Sequence, residues 1–232
     1  MEESIAEEPT RGGSRKDIMH YLLKAKNPAT GQGLSEADLK AESNLFITAG
    51  LDTTSTTLSS TIFYLLNNSE AMHKVKDEVR ATFSAPEQVQ SGPKLSILVY
   101  TRACTDEALR LNPPSLSPMP RQRWIVARTS TGEVDEDDAQ RVADARAAFF
   151  AFSAGFRVCL GRDFAYTELL TALTTLVLVF DIRLPPDPSQ QKPSGRGSPS
   201  HVHWGRIRQK EYQTQDYLLV DRGGPMAQLK RR

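Results

Sequence analysis

Apolar positions recur at helical spacing between residues 17 and 24, and the spacing predicts a short helix with Asp17 as its cap. Pro28 and two glycines break the pattern over 27–33. Ser35, with Asp38 three residues on, then fits a capping box. A long helix is expected from 38 to 67. Its centre, Leu45 to Leu58, holds one charge, Asp52, and five threonines. So little charge around the circumference predicts burial on most sides. A Thr-rich run also suits a strand, but the length and the flanking pattern favour helix. A charged amphipathic helix is expected over 69–83, a Pro/Gly/Gln loop over 85–94, and a helix over 98–111 stopped by Asn112, Pro113 and Pro114. Further on, 115–122 reads as a proline-rich connection, 129–138 as an acidic loop and 139–148 as a short helical piece. An apolar helix spans 163–180, and 185–206 is a Pro/Gly/Ser-rich exposed loop. Strands at 216–220 and 226–230 flank Asp221-Arg222-Gly223-Gly224-Pro225, a hairpin signal. Residues 1–16, charged and carrying Pro9, read as a disordered segment.

Composition narrows the classes. The formal net charge is +1, which gives no reason to expect nucleic acid or an anionic membrane as a partner. Only two cysteines occur, Cys104 and Cys159. Cys104 lies in a helical pattern, so the pair argues against a disulfide and for a reducing, intracellular setting. The first eight residues are acidic, unlike a secretory leader, and no apolar run reaches membrane-spanning length. His20, His73, His201 and His203 show no zinc-like spacing with the cysteines.

The chemistry concentrates in Phe152-Ser-Ala-Gly155-Phe-Arg157-Val-Cys159-Leu-Gly161, directly before the 163–180 helix. A helix start carries unpaired N–H groups and partial positive charge, which favours a thiolate, the metal-binding form of cysteine. The glycines permit φ > 0 or close approach of backbone to a flat ligand. Arg157 offers a planar fork to a carboxylate, and Phe152 is placed to shield the sulfur from water. Together these suit haem iron held by Cys. The alternative is a buried structural cysteine beside a turn. A chance match at all five fixed positions is rarer than roughly one in a million windows. The loop resembles the haem-binding signature of the cytochrome P450 superfamily, Phe-x-x-Gly-x-Arg-x-Cys-x-Gly; Phe156 stands where many members carry proline.

Two further runs occur in the order that the family shows. Ala49-Gly50-Leu51-Asp52-Thr53-Thr54 places a glycine, a carboxylate and back-bonding hydroxyls inside a helix, three locally unfavourable choices side by side. Alone, that is also what a Thr-rich core helix with a solvated Asp looks like. The resemblance implies the oxygen-binding helix, with Thr53 delivering protons to dioxygen and Asp52 feeding that relay. Glu107 and Arg110 share one helical face ahead of Leu111-Asn112-Pro113-Pro114. By resemblance they form the Glu-x-x-Arg element, whose buried carboxylate also meets a downstream arginine, here Arg123 beside Trp124. Arg121 aligns loosely with a haem-propionate position and is equally readable as a solvated arginine.

The resemblance covers 17 to the C-terminus and is most similar to fungal microsomal members. It implies a mainly α, partial P450 fold with a small C-terminal β-hairpin. Residues 17–232 are expected to form a truncated haem domain with a strand-bearing segment missing near 121–124. Full-length relatives would sit at the endoplasmic reticulum membrane. The implied cofactors are haem b with Cys159 as axial ligand, O2, and electrons from NADPH through a partner reductase. Phe152, Gly155, Arg157, Gly161 and Arg121 would complete the cofactor site. The expected activity is monooxygenation of a lipophilic or aromatic organic molecule. A second expectation, of a different class, is an inactive fragment that holds haem weakly or not at all.

Overall fold

A computed structural model describes residues 16–115, 158–186 and 224–232, together with 149, 151–153, 155, 212, 214–215 and 221–222. The expectations for 1–15, for the acidic loop and helical piece between 129 and 148, for the missing segment near 121–124 and for most of 185–206 lie outside these residues. The chain divides into two compact units, 1–49 and 50–232.

In the first unit, α1 (Ile18–Lys24) begins as its sequence requires: the Asp17 carboxylate accepts the His20 amide at 3.0 Å. Asn27 organises the following turn, its side-chain oxygen accepting the Ala29 amide at 2.8 Å. Gly31 takes the left-handed conformation there, with φ of 70°. The capping box forms at the head of α2 (Glu36–Leu66). The Asp38 carboxylate accepts the Ser35 amide at 3.0 Å and its hydroxyl at 2.6 Å, while the Asp38 amide donates to Ser35 Oγ at 3.2 Å. Those bonds hold the Asp38 carboxyl below its usual range.

In the second unit, α2 continues to Leu66, and Asn68 caps α3 (Ser69–Thr82) by accepting the Ala71 amide at 3.1 Å. The 85–94 stretch, expected to be loop, holds a 3-10 turn at Pro86–Gln88 and the single-turn α4 (Pro93–Ser96). Each opens on a proline, whose fixed φ and missing N–H suit a first helical turn. α5 (Val99–Leu111) and α6 (Arg162–Val179) follow. α3 packs on both α5 and α6. Met72, Val75 and Val79 line one face of α3 and meet Leu98 and, from α6, Leu170, Leu173 and Val177. Each such side chain removed from water contributes about 1.5–3 kcal/mol.

α5 begins without a capping side chain of its own, because Leu98 occupies that position. Glu78 of α3 supplies the cap from across the core. Its carboxylate accepts the Tyr100 amide at 2.8 Å, the Thr101 amide at 2.7 Å and the Thr101 hydroxyl at 2.6 Å. Cys104 lies one turn further on, half-buried; burial first, then the Glu78 charge, push its thiol up to about 11.

The strands refine the expected hairpin. α6 runs straight into β1 (Phe180–Arg183), which pairs antiparallel with β4 (Gln228–Arg231) in the register Phe180↔Arg231 to Arg183↔Gln228. The small hairpin lies earlier, between β2 (Thr214–Gln215) and β3 (Asp221–Arg222). The strand expected at 226–230 takes its partner from the end of α6, and the strand expected at 216–220 lies outside the described residues. Ile182 is the buried residue of β1, and Arg80 reaches Asp181 at 3.2 Å beside it. Buried Tyr212 packs on Phe63 and donates its hydroxyl to the Gly224 carbonyl at 2.6 Å.

Burial along α2 also departs from expectation. Its buried residues begin only at Thr56, while Leu45 is 59 %, Ile47 65 % and Leu51 68 % exposed. The hydroxyl-rich half can be buried because it satisfies itself. Thr57 Oγ1 donates to the Thr53 carbonyl and Thr61 Oγ1 to the Thr57 carbonyl, each at 2.8 Å.

Removing the cross-core cap should be costly. Glu78→Ala should lower stability by about 2 kcal/mol, since it strips three donors of a charged acceptor. Glu78→Gln should lose less. Urea unfolding of both variants against the parent checks this, and equal midpoints in all three would refute it.

Candidate functional site

The Phe152–Cys159 loop is closed by its own backbone. The Cys159 amide donates to the Phe152 carbonyl at 2.8 Å, and within the loop the Val158 amide donates to the Gly155 carbonyl at 3.1 Å. Among the loop's described residues, Ser153 with φ of 63° and Gly155 with φ of 65° take left-handed backbone. Glycine meets the requirement without steric penalty, whereas Ser153 adopts it at a cost that the surrounding contacts must offset.

Cys159 is exposed. Two residues after it, Gly161 caps α6, whose amide end carries the positive pole of an 18-residue helix. A Cβ on Gly161 would stand 3.8 Å from Cys159 Sγ, so glycine keeps that flank of the sulfur open. Val158, Leu160 and Phe164 around it are exposed. Among the described residues no group of three or more His, Cys, Asp or Glu could hold a metal. Among these residues the sulfur is a single donor, which suits a metal whose remaining ligands come from a prosthetic group. The accessible thiol, the permissive glycine and the open flank fit haem.

Phe152 was expected to shield the sulfur. Its ring packs on Tyr166, centroids 5.1 Å apart and planes tilted by 44°. Tyr166, buried in α6, donates its hydroxyl to Asp106 Oδ1 at 2.6 Å, and the Arg102 guanidinium lies 3.9 Å from its ring centroid. Burial first, then the Asp106 carboxylate, hold that hydroxyl protonated. Sequence reasoning did not single out Arg102, Asp106 or Tyr166. The available signal was a tyrosine in an apolar helix, whose hydroxyl needs a partner when buried.

Asp52 and Thr53 lie on an uninterrupted stretch of α2. Asp52 is exposed, its carbonyl accepting Ser55 Oγ at 3.2 Å, and the Thr53 carbonyl takes the Thr57 hydroxyl. A Cβ on Gly50 would meet nothing within 4 Å, so the helix surface is open beside them. Thr54 Oγ1 donates to Glu168 Oε2 at 3.4 Å and joins this stretch to α6, the helix that follows Cys159. Arg110 grips Glu107 through both carboxylate oxygens, at 2.7 and 2.5 Å. The Glu107 side chain is 47 % exposed, so the carboxylate expected to be buried faces solvent. Arg157, Arg121 and Arg123 fall outside the described residues.

Comparison with known proteins agrees with these motifs. A family model described as Cytochrome P450 matches residues 1–125 and 136–202, and the chain belongs to the cytochrome P450 family. It is 33% identical to a cytochrome P450 monooxygenase of Gibberella zeae, over 96% of this chain and 58% of that protein. It is 31% identical to the cytochrome P450 monooxygenase AKT7 of Alternaria alternata, over 94% and 48% respectively. With the cytochrome P450 monooxygenase apf7 of Gibberella fujikuroi it shares 33% identity, over 99% and 49%. The chain therefore spans about half the length of these relatives. Among the described residues no helix is long and apolar enough to cross a membrane.

The Asp106 cluster generates a pH test. Burial raises the Asp106 carboxyl above its usual range, with Tyr166 and Arg102 opposing it. The folded chain then binds more protons than the unfolded chain in that window. Stability from this group is greatest below the unfolded carboxyl value and falls as pH rises through the folded one. In Asp106→Asn this decline should disappear. Thermal midpoints of parent and variant should therefore lie close together at acid pH, where the carboxyl is neutral like the amide, and separate as pH rises, to the variant's advantage; a gap constant with pH would contradict the assignment.

Proposed function

We propose that the chain carries the haem-thiolate site of a monooxygenase acting on a lipophilic or aromatic organic substrate. The observation that carries the reading is the exposed Cys159 thiol, on a loop closed by the Phe152 carbonyl and flanked by Gly155 and Gly161. It is supported by family membership and by relatives named as monooxygenases. Cys159 would bind the iron as thiolate, Phe152 and the two glycines would shape the loop, and Arg157 and Arg121 would hold the propionates. When bound, the haem supplies the activation of dioxygen and the insertion of one oxygen atom into a C–H bond. NADPH, through a partner reductase, supplies the electrons. Thr53 would hold and pass a proton at its hydroxyl, and Asp52, open to water, would replenish it.

The exposed apolar residues Leu45, Ile47 and Leu51 favour a second reading, an inactive fragment that holds haem weakly or not at all. One series of measurements separates the two. The purified chain, given haemin, is expected to show the thiolate-type band of its reduced carbon-monoxide complex. Cys159→Ala should lose that band entirely, and a variant that kept it would overturn the ligand assignment. Thr53→Ala should keep the band and lower turnover with a reductase by roughly a hundredfold. A weak or absent thiolate band without any turnover in the parent would establish the second reading.

A further inference from the structure

Tyr166 is held from three directions by groups of two other elements. Phe152, at the start of the cysteine loop, stacks on its ring at 5.1 Å. From α5, Arg102 lies 3.9 Å from the ring centroid, and Asp106 accepts the hydroxyl at 2.6 Å. Arg102 and Asp106 are four residues apart and share one helical face, so a single turn of α5 presents both. Tyr166 is 6 % exposed. A phenylalanine would fill the same volume, so packing alone gives no reason for the hydroxyl or for a partly buried carboxylate to receive it.

Phe152 is also the residue whose carbonyl accepts the Cys159 amide at 2.8 Å. The next residue, Ser153, is in the left-handed region, which a serine keeps only where its neighbours are fixed. The contact on Phe152 is therefore transmitted in two steps: the tyrosine ring fixes the phenylalanine, and the phenylalanine carbonyl fixes the cysteine backbone.

We infer that Tyr166, clamped by Asp106 and Arg102 of α5, is a positioning residue that sets the Cys159 loop and hence the direction in which its sulfur is offered. As a statement about haem ligation it rests on the reading of Cys159 as ligand; as a statement about the loop it does not.

Hydrogen exchange at the Cys159 amide reads the loop directly in the haem-free chain. In Tyr166→Phe that amide should exchange roughly tenfold faster, the effect of losing about one hydrogen bond's net worth. The amides of Leu170 and Leu173, within α6, should stay within about twofold of the parent because local openings need not spread along a helix. Asp106→Asn, whose side-chain oxygen still accepts, should exchange like the parent, and Asp106→Ala should reproduce Tyr166→Phe. Should Tyr166→Phe not fold, Asp106→Ala provides the same reading from a half-buried position. Unchanged exchange at Cys159, or acceleration by one factor throughout α6, would overturn the inference and leave Tyr166 a core residue.

With haemin added, the thiolate-type fraction of the carbon-monoxide band should fall severalfold in Tyr166→Phe at equal total haem. If the parent shows no such band while exchange responds as stated, the ligand assignment fails and the clamp on the loop stands. If the parent shows the band and neither exchange nor band responds to Tyr166→Phe, the clamp fails and the ligand assignment stands.

Discussion

The hydrogen bond from the Cys159 amide to the Phe152 carbonyl, 2.8 Å long, is the constraint on which the site depends. It converts an open segment into a closed loop and leaves the cysteine side chain outward, with its backbone tied. Everything needed to close it is unfavourable in isolation: two consecutive-but-one residues in left-handed backbone and an exposed sulfur between apolar neighbours. Such a loop persists only where rigid elements hold its ends. One end is the first turn of α6, whose inner face is anchored in the core by Leu170, Leu173 and Val177. The other is Phe152, packed on Tyr166 of the same helix.

α5 distributes order through the second unit. Its amino end is tied to α3 by the Glu78 carboxylate, its middle carries Arg102 and Asp106 against Tyr166, and its carboxyl end carries the Glu107–Arg110 pair. The cap and the clamp use charged or polar groups across a hydrophobic interface, where a directed bond fixes rotation and sliding that apolar packing alone leaves free. The Glu107–Arg110 pair is different in kind. It is internal to one helix and open to water, so it contributes a few tenths of a kcal/mol at most.

Local signals were the legible ones. Asp17, Ser35 with Asp38, and Pro113 with Pro114 mark helix ends by chemistry that acts within a few residues, and the helices begin and stop there. The loop motif was legible because its residue types are rare in combination. Interactions that span the chain were not. Glu78 looks like any charge on an amphipathic helix until α5 arrives to use it. The pairing of Gln228–Arg231 with Phe180–Arg183 joins residues far apart in sequence, while the turn signal at 221–225 pointed to a nearer partner. Low charge in the centre of α2 predicts burial, yet Leu45, Ile47 and Leu51 there are exposed and burial begins only at Thr56. Periodicity reports what a helix can bury, and the neighbours decide what it does bury. The same holds for Tyr166, whose partners Asp106 and Arg102 lie on a different helix.

The contrast between the two thiols has a practical side. Cys104 is half-buried, and its thiol is pushed up to about 11, so at neutral pH it stays protonated and unreactive. Cys159 is exposed. Of these two sulfurs, Cys159 is the one open to oxidation in air, and a disulfide between two copies would form there. That covalent pair would be an artefact of handling, and it would have consumed the sulfur proposed as the ligand.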